Sequence, residues 1–277
     1  MSTLELKHMK TVWTGRIGKA ELRIVDTGKL FVTLADVNGK RQLELEAKSL
    51  DEARRRLHDE IGKASPKYVG FAGARNRFLH FFPNGFHSDR YEDEERGYKL
   101  RAKGKLETEL SLDHAIDVSG AGEIILSVYG ATNLLSPFEK MRVRDVLRSP
   151  SADMFIRAAA RFTLGDTKSA LAEMERALKP KDAAKWTIVT YLPFLWRPDT
   201  HMFLKPMVTT DFAERVGHRF AHDYEAPLRI SVYESLLDLV AKTETELTDL
   251  KPRDRIDLQS FIWVVGDYQD GIEQPKT

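Results

Sequence analysis

Residues 186–206, WTIVTYLPFLWRPDTHMFLKP, are the most apolar stretch of the chain. Apolar side chains fall on every side of any helix drawn through it, so the segment must be buried all round. Pro193 interrupts the run and Arg197 ends it, well short of the roughly 20 residues a membrane span needs. The expectation is a central core element leading into a polar loop where Arg197, Asp199, His201 and Lys205 crowd together. Around it, apolar spacing of three and four predicts helices near 107–116, 122–130, 137–148, 151–164, 167–178, 182–195, 209–222, 231–249 and 254–266. Ser151, Thr167, Asp182 and Thr209 are the expected caps. Gly165-Asp166 joins two of these helices in AAARFTLGDTKSALAEMERAL, which reads as a single helical hairpin.

The 277 residues suffice for one large or two ordinary domains, and 42% apolar with 31% charged residues is a globular composition. A net charge of +1 gives no global field toward nucleic acid or anionic membrane, so any such binding must come from a local patch. The absence of cysteine excludes disulfides, thiolate metal sites and cysteine nucleophiles. The start, MSTLELKHMK, lacks the apolar run of a signal peptide, so a cytoplasmic location without membrane association is expected.

Residues 11–62 read as a small antiparallel sheet with a helix behind it. Asn38-Gly39 is a two-residue hairpin signal. Counting outward from it sets Leu34 opposite Leu43, Val32 opposite Leu45, Thr33 opposite Glu44 and Phe31 opposite Glu46. Residues 20–25 alternate as a further strand. Ser49 and Glu52 form a capping box for a helix that carries Leu50, Ala53 and Leu57 inward, Arg54 and Arg55 outward, and ends near Gly62. Ala64-Ser65-Pro66 reads as the link onward. This module resembles the arm domains at the N-termini of phage integrases and, through Trp13, Gly15 and Arg16, is more distantly similar to WGR domains, although Thr14 interrupts that triplet. Both resemblances imply nucleic-acid binding; the alternative is a sheet that docks on the larger domain.

Residues 67–110 interleave aromatics (Phe78, Phe81, Phe82, Phe86) with Arg75, Arg77, His80 and Arg90. Such a mixture can stack on and neutralise single-stranded nucleic acid. The neighbouring Asp93, Glu94 and Glu95 favour a core of aromatics with solvated or paired arginines. The phrases GFAGARNRFLHFFPNGF, ERGYK, NLLSPFEKMRVRDVL, WTIVTYLPFLWRPDTHMFLKP and PRDRIDLQSFIWV resemble an uncharacterised family of bacterial proteins. The resemblance covers about 68–268, implies one conjoint domain and a bacterial or phage setting, and assigns no catalytic residue.

The chemistry-bearing patterns are few. Asp36 and Glu46-Ala47-Lys48 suggest a metal-dependent nuclease, but five positions at about 3.3 Å each hold the carboxylates about 16 Å apart. Glu214, His218 and His222 stack at helical spacing opposite Phe212, Val216 and Phe220, as a solvated stripe rather than a metal site. GFAGAR lacks the lysine of a phosphate loop, and no nucleophile elbow is present. What remains is Arg197, Asp199, His201 and Lys205, expected to meet Asp254, Asp257 and Gln259 of the apolar last helix. They form either a structural network or an anion pocket with His201 as acid or base.

The expectation is an α+β protein: a sheet-plus-helix module over 1–66 and a mainly α-helical domain over 67–277. No cofactor or metal is implied. The function expected is that of a non-catalytic interaction protein with DNA, RNA or a protein as partner, Arg54, Arg55, Arg56, Arg75 and Arg77 being the nucleic-acid contacts. The alternative is a hydrolase or nucleotide-processing enzyme built on the Arg197–Lys205 cluster.

Overall fold

Alternation in residues 10–47 builds four antiparallel strands, β1 (Lys10–Ile17), β2 (Ala20–Asp26), β3 (Phe31–Val37) and β4 (Lys40–Ala47), in the order β1-β2-β3-β4. The structure is a computed structural model and describes residues 9–17, 20–37, 40–62 and 68–268. The Asn38-Gly39 turn and the Ala64-Ser65-Pro66 link lie outside the described residues. Helix α1 (Leu50–Gly62) lies on one face of the sheet, where Leu22, Ile24, Ala35 and Ala47 enclose a core with its Ala53 and Leu57. The Ser49 hydroxyl accepts the Glu52 N–H at 3.2 Å. The Glu52 carboxylate reaches one residue farther back than the box requires, accepting the Lys48 N–H at 2.9 Å. Trp13 joins this core; its indole fills the space a Cβ on Gly15 would need, and the Arg54 guanidinium lies 5.6 Å from its ring centroid.

The strand register departs from the count made from the turn. Asp36 faces Arg41 as counted, with a 3.2 Å ion pair, but Ala35 faces Leu43 and leaves Gln42 as an extra residue. That bulge turns the rest of β4 over, because a one-residue slip exchanges the two faces of a strand. Leu34 therefore faces Glu44, Thr33 faces Leu45 and Val32 faces Glu46. Leu43 packs toward α1, while Val32 and Leu34 join Val25 in a second cluster. A second bulge, at Val12, separates the pairs Thr11–Val25 and Trp13–Ile24.

The described residues divide into two compact units. One holds those up to Arg77 together with Ala213–Arg219; the other holds Phe78–Phe212 and those from Phe220 onward. The larger unit is helical, so the class is α+β as expected, and among the described residues no helix is long and apolar enough to cross a membrane.

The stretch around Trp186 is its centre. Trp186 to Trp196 are buried without exception, as two short helices, α10 (Trp186–Val189) and α11 (Tyr191–Trp196), rather than one helix over 182–195. Thr190 sits at their junction, donating to the Trp186 carbonyl at 2.6 Å and accepting the Leu204 N–H at 3.0 Å. Asp182 adopts φ 48° and closes a 3-10 turn over Lys179–Lys181 instead of capping a helix. Buried aromatic rings need partners for their polar tips. Tyr191 donates to the Val128 carbonyl, Tyr129 to that of Ile188 and Trp196 to that of Leu110.

Around this centre run α4 (Gly97–Glu109), α5 (Leu112–Ala115), α6 (Gly122–Gly130), α7 (Pro137–Leu147), α8 (Ala152–Thr163) and α9 (Thr167–Leu178). The expected helix over 107–116 is thus the end of a longer one that begins at Gly97, followed by a single turn. Helices α8 and α9 form the expected hairpin. Ser151 and Asp166 stand at their caps without a side-chain bond, whereas Ser136 and Glu139 make a full capping box on α7. Later come α12 (Pro206–Arg215), α13 (Phe220–Asp223), α14 (Ile230–Glu246) and α15 (Arg255–Asp267). Thr209 lies inside α12 rather than at its cap. That helix stops at Arg215, and Gly217 turns the chain with φ 68°. Glu214, His218 and His222 therefore do not share a helix, and His218 is buried rather than solvated.

Candidate functional site

The ionic centre of the larger unit arises where the chain from Asp89 to Glu109 meets α15. This segment starts as α3 (Asp89–Tyr91), widens into a π-helical turn over Glu92–Arg96 and continues as α4. The Gly97 N–H bonds the Glu92 carbonyl, five residues back, and a Cβ on Gly97 would lie 2.9 Å from that same oxygen. A glycine is what lets the wide turn close. The extra residue broadens the inward face, so that Tyr91, Glu95, Arg96 and Lys99 are all buried.

Opposite them stand Arg253, Asp254, Asp257 and Ser260. Asp254 caps α15 by accepting the Ile256 N–H at 2.9 Å. Arg96, 7% exposed, forks onto both Asp254 oxygens at 2.8 and 2.6 Å and also donates to Asp257 at 2.8 Å. Asp257, fully buried, accepts in addition the Tyr91 hydroxyl at 2.8 Å, the Arg253 N–H at 2.8 Å and the Arg253 Nε at 3.0 Å. Burial pushes the Asp257 carboxyl up, but the Arg253 hydrogen bonds and the Arg96 charge outweigh it and hold it below its ordinary value. Burial raises the Tyr91 hydroxyl, and the Asp257 charge raises it further.

A second pair adjoins. Lys99 donates to Glu95 at 3.0 Å and to the Ser260 hydroxyl at 2.6 Å, while the Tyr268 hydroxyl donates to the other Glu95 oxygen at 2.8 Å. Burial lowers the Lys99 ammonium, and Glu95 opposes that shift. Three cations (Arg96, Lys99, Arg253) thus face three carboxylates (Glu95, Asp254, Asp257), a balance that buried charges require.

The polar loop expected beside the core does not assemble as one cluster. Arg197 and Asp199 are exposed. His201 turns inward, with Nδ1 3.0 Å from the Tyr233 hydroxyl and Nε2 3.1 Å from the Thr163 carbonyl, and burial lowers its pKa. Lys205 donates to the Leu134 carbonyl at 2.9 Å and lies 5.6 Å from the Trp263 ring centroid. The loop and α15 do meet, but through Arg255, which bonds the Pro198 and Thr200 carbonyls. Asp254 and Asp257 belong to Arg96 and Arg253. Gln259 stands apart from both groups: it is 4% exposed and its Oε1 has no hydrogen-bond partner.

Among the residues expected to contact nucleic acid, Arg56 pairs with Glu52 at 2.7 Å and donates to the Glu46 carbonyl at 3.0 Å. Arg54, Arg55, Arg75 and Arg77 are partly exposed. Arg75, Arg77 and Phe78 lie on α2 (Gly70–Phe81), and the aromatics there are core: Phe78 has Phe86 at 4.7 Å, Phe82 at 5.6 Å and Phe261 at 5.3 Å between centroids. Arg96, Lys99, Glu95 and Arg253 escaped the sequence reading. A signal was available: Tyr91, Glu95, Tyr98, Lys99, Ala102 and Leu106 share one apolar helical face, and an i, i+4 acid–base pair inside such a face points to a buried ion pair.

Comparison with protein-family models, curated proteins and solved structures finds no match for this chain.

Proposed function

We propose that the chain is a non-catalytic interaction protein from a bacterial or phage setting, associated with nucleic acid through its N-terminal unit. The observation that carries this reading is the closure of the ionic centre. Its charges answer one another at hydrogen-bond distance, in a site sealed by Tyr91 and Tyr268, which is the geometry of a clamp between chain segments. The hydrolase alternative would need His201 to reach a substrate, whereas both its ring nitrogens are engaged within the core. Support for nucleic acid is the run Arg54-Arg55-Arg56 on α1, with side chains at least partly accessible.

The test uses the full chain with labelled single-stranded and duplex DNA and RNA, titrated across a series of salt concentrations. Binding should weaken with log salt, with a slope of about 0.9 per phosphate contact on duplex DNA. Arg54→Glu, Arg55→Glu and Arg56→Glu combined should flatten that slope by about two to three contacts. Absence of binding at low ionic strength, or an unchanged slope in the variant, refutes the nucleic-acid assignment.

A further inference from the structure

The outer face of α7 joins an exposed ring to a local excess of positive charge. Among the described residues Phe138 is the one Phe, Tyr or Trp that is mainly exposed, at 73%, and no other ring meets it. Pro137 and the Ser136–Glu139 capping box fix the start of α7, so this ring stands on a rigid helix end rather than on a loop. Met141, 45% exposed, continues the apolar strip three residues on. Basic side chains border the strip. Arg142, four residues after Phe138 and so on the same face, pairs with Asp182 at 2.9 Å. From Asp182 the chain follows α7, tied to it again where the Thr187 hydroxyl donates to Glu139. Lys185 shares Asp182 with Arg142, also at 2.9 Å, and the 3-10 turn over Lys179–Lys181 packs on the flank of α7. Lys179 and Lys181 are exposed and, among the described residues, have no carboxylate partner. Residues 137–147 and 179–185 hold six cations against three carboxylates, a local excess of three in a chain whose total is +1.

We propose that this face binds single-stranded nucleic acid, with Phe138 stacking on a base and Arg142, Lys179, Lys181 and Lys185 along the phosphates. Two properties select that ligand. Single-strand sites combine a cationic track with an aromatic ring whose face is free, and both features stand side by side on α7. A duplex keeps its bases stacked on one another and offers the ring nothing. An acidic protein segment would also answer the charge, but three of the four bordering cations are lysines, a residue that protein interfaces deplete. The proposal goes beyond the N-terminal reading: it places a contact surface on the larger unit and specifies the strandedness of the ligand, whether or not Arg54, Arg55 and Arg56 also take part.

The experiment titrates the full-length chain with fluorescein-labelled oligo(dT), which forms no secondary structure, and with a labelled duplex, across a series of salt concentrations. Phe138→Ala and Phe138→Leu should each weaken oligo(dT) binding about fivefold or more, the lower end for one stacked base. Phe138→Tyr keeps the aromatic face and should bind as the wild type does. Duplex affinity should not respond to any of the three. Lys179→Glu with Lys181→Glu should flatten the oligo(dT) salt slope by about 1.4, at about 0.7 per phosphate contact on a single strand. All these side chains are exposed, so the variants should fold. No binding of oligo(dT) at low salt, full affinity in Phe138→Ala, or an unchanged slope in the lysine variant overturns the proposal. So does Phe138→Leu binding like the wild type, the mark of a merely apolar contact such as a protein makes. The N-terminal reading is judged by a different variant: a loss confined to Arg54→Glu, Arg55→Glu and Arg56→Glu overturns this face and leaves that reading standing, and a loss confined to the α7 variants does the reverse.

Discussion

Asp257→Ala is the sharpest test of the ionic centre. The substitution removes a buried carboxylate that accepts from Tyr91, from Arg96 and from both the backbone and side chain of Arg253. Breaking a buried pair by removing one partner costs about 3–5 kcal/mol, because the other charge stays buried. Arg96 keeps its fork on Asp254 and Arg253 is a third exposed, so the expected loss lies at the lower end, about 3 kcal/mol. At about 2–4 °C per kcal/mol for a chain of this size, melting should fall by about 6–12 °C. Urea unfolding followed by tryptophan fluorescence reports mainly on the larger unit, which holds Trp186, Trp196 and Trp263. The pH dependence adds a check. The folded carboxyl titrates below its ordinary value of 3.8, so its contribution is fully present above that pH and is lost as pH falls through the folded value. The gap between wild type and variant should therefore be constant near neutrality and narrow below about pH 4. A melting change under 2 °C at pH 7, or a gap that does not narrow in acid, refutes the reasoning.

His201→Gln should flatten the stability–pH curve between about pH 7 and 5: with the folded pKa depressed by burial, wild type loses stability as pH falls below the ordinary 6.5, and the variant has no such proton to take up. Denaturant midpoints at four pH values decide it, and parallel curves would exclude a buried neutral imidazole. Gly97→Ala should lower the melting temperature even though alanine favours helix, because its Cβ meets the Glu92 carbonyl in the wide turn. A stabilised variant would mean the turn is not π-helical. Phe138→Ser, at a position 73% exposed on α7, should leave melting within about 1 °C, and a larger loss would show that this ring is covered in solution.

Much of this architecture is legible from local pattern. Alternation in 20–25, the apolar helix from Arg255 and the all-round apolarity of 186–196 each report burial directly, and burial is what periodicity encodes. What escaped has a common cause. The bulge at Gln42, the wide turn before Gly97 and the break at Gly217 each add or remove a fraction of a turn, and face assignments counted across them rotate out of phase. The same effect hid the site: Arg96 reads as a surface charge until the π-helical turn brings it round to Asp254. Proximity in sequence misled in the opposite direction, since Arg197, Asp199, His201 and Lys205 are neighbours along the chain and part company in space.

The two bulges carry a consequence for how the N-terminal unit meets other molecules. Val12 and Gln42 interrupt β1 and β4, the outermost strands of the four. An incoming strand needs an unbroken row of backbone donors and acceptors, and a bulge both interrupts that row and twists it away. Strand addition, whether by a peptide ligand or by a second sheet joining edge to edge, is disfavoured on both sides. Any contact this unit makes is thereby directed to side chains on its faces and on α1 rather than to main-chain hydrogen bonding.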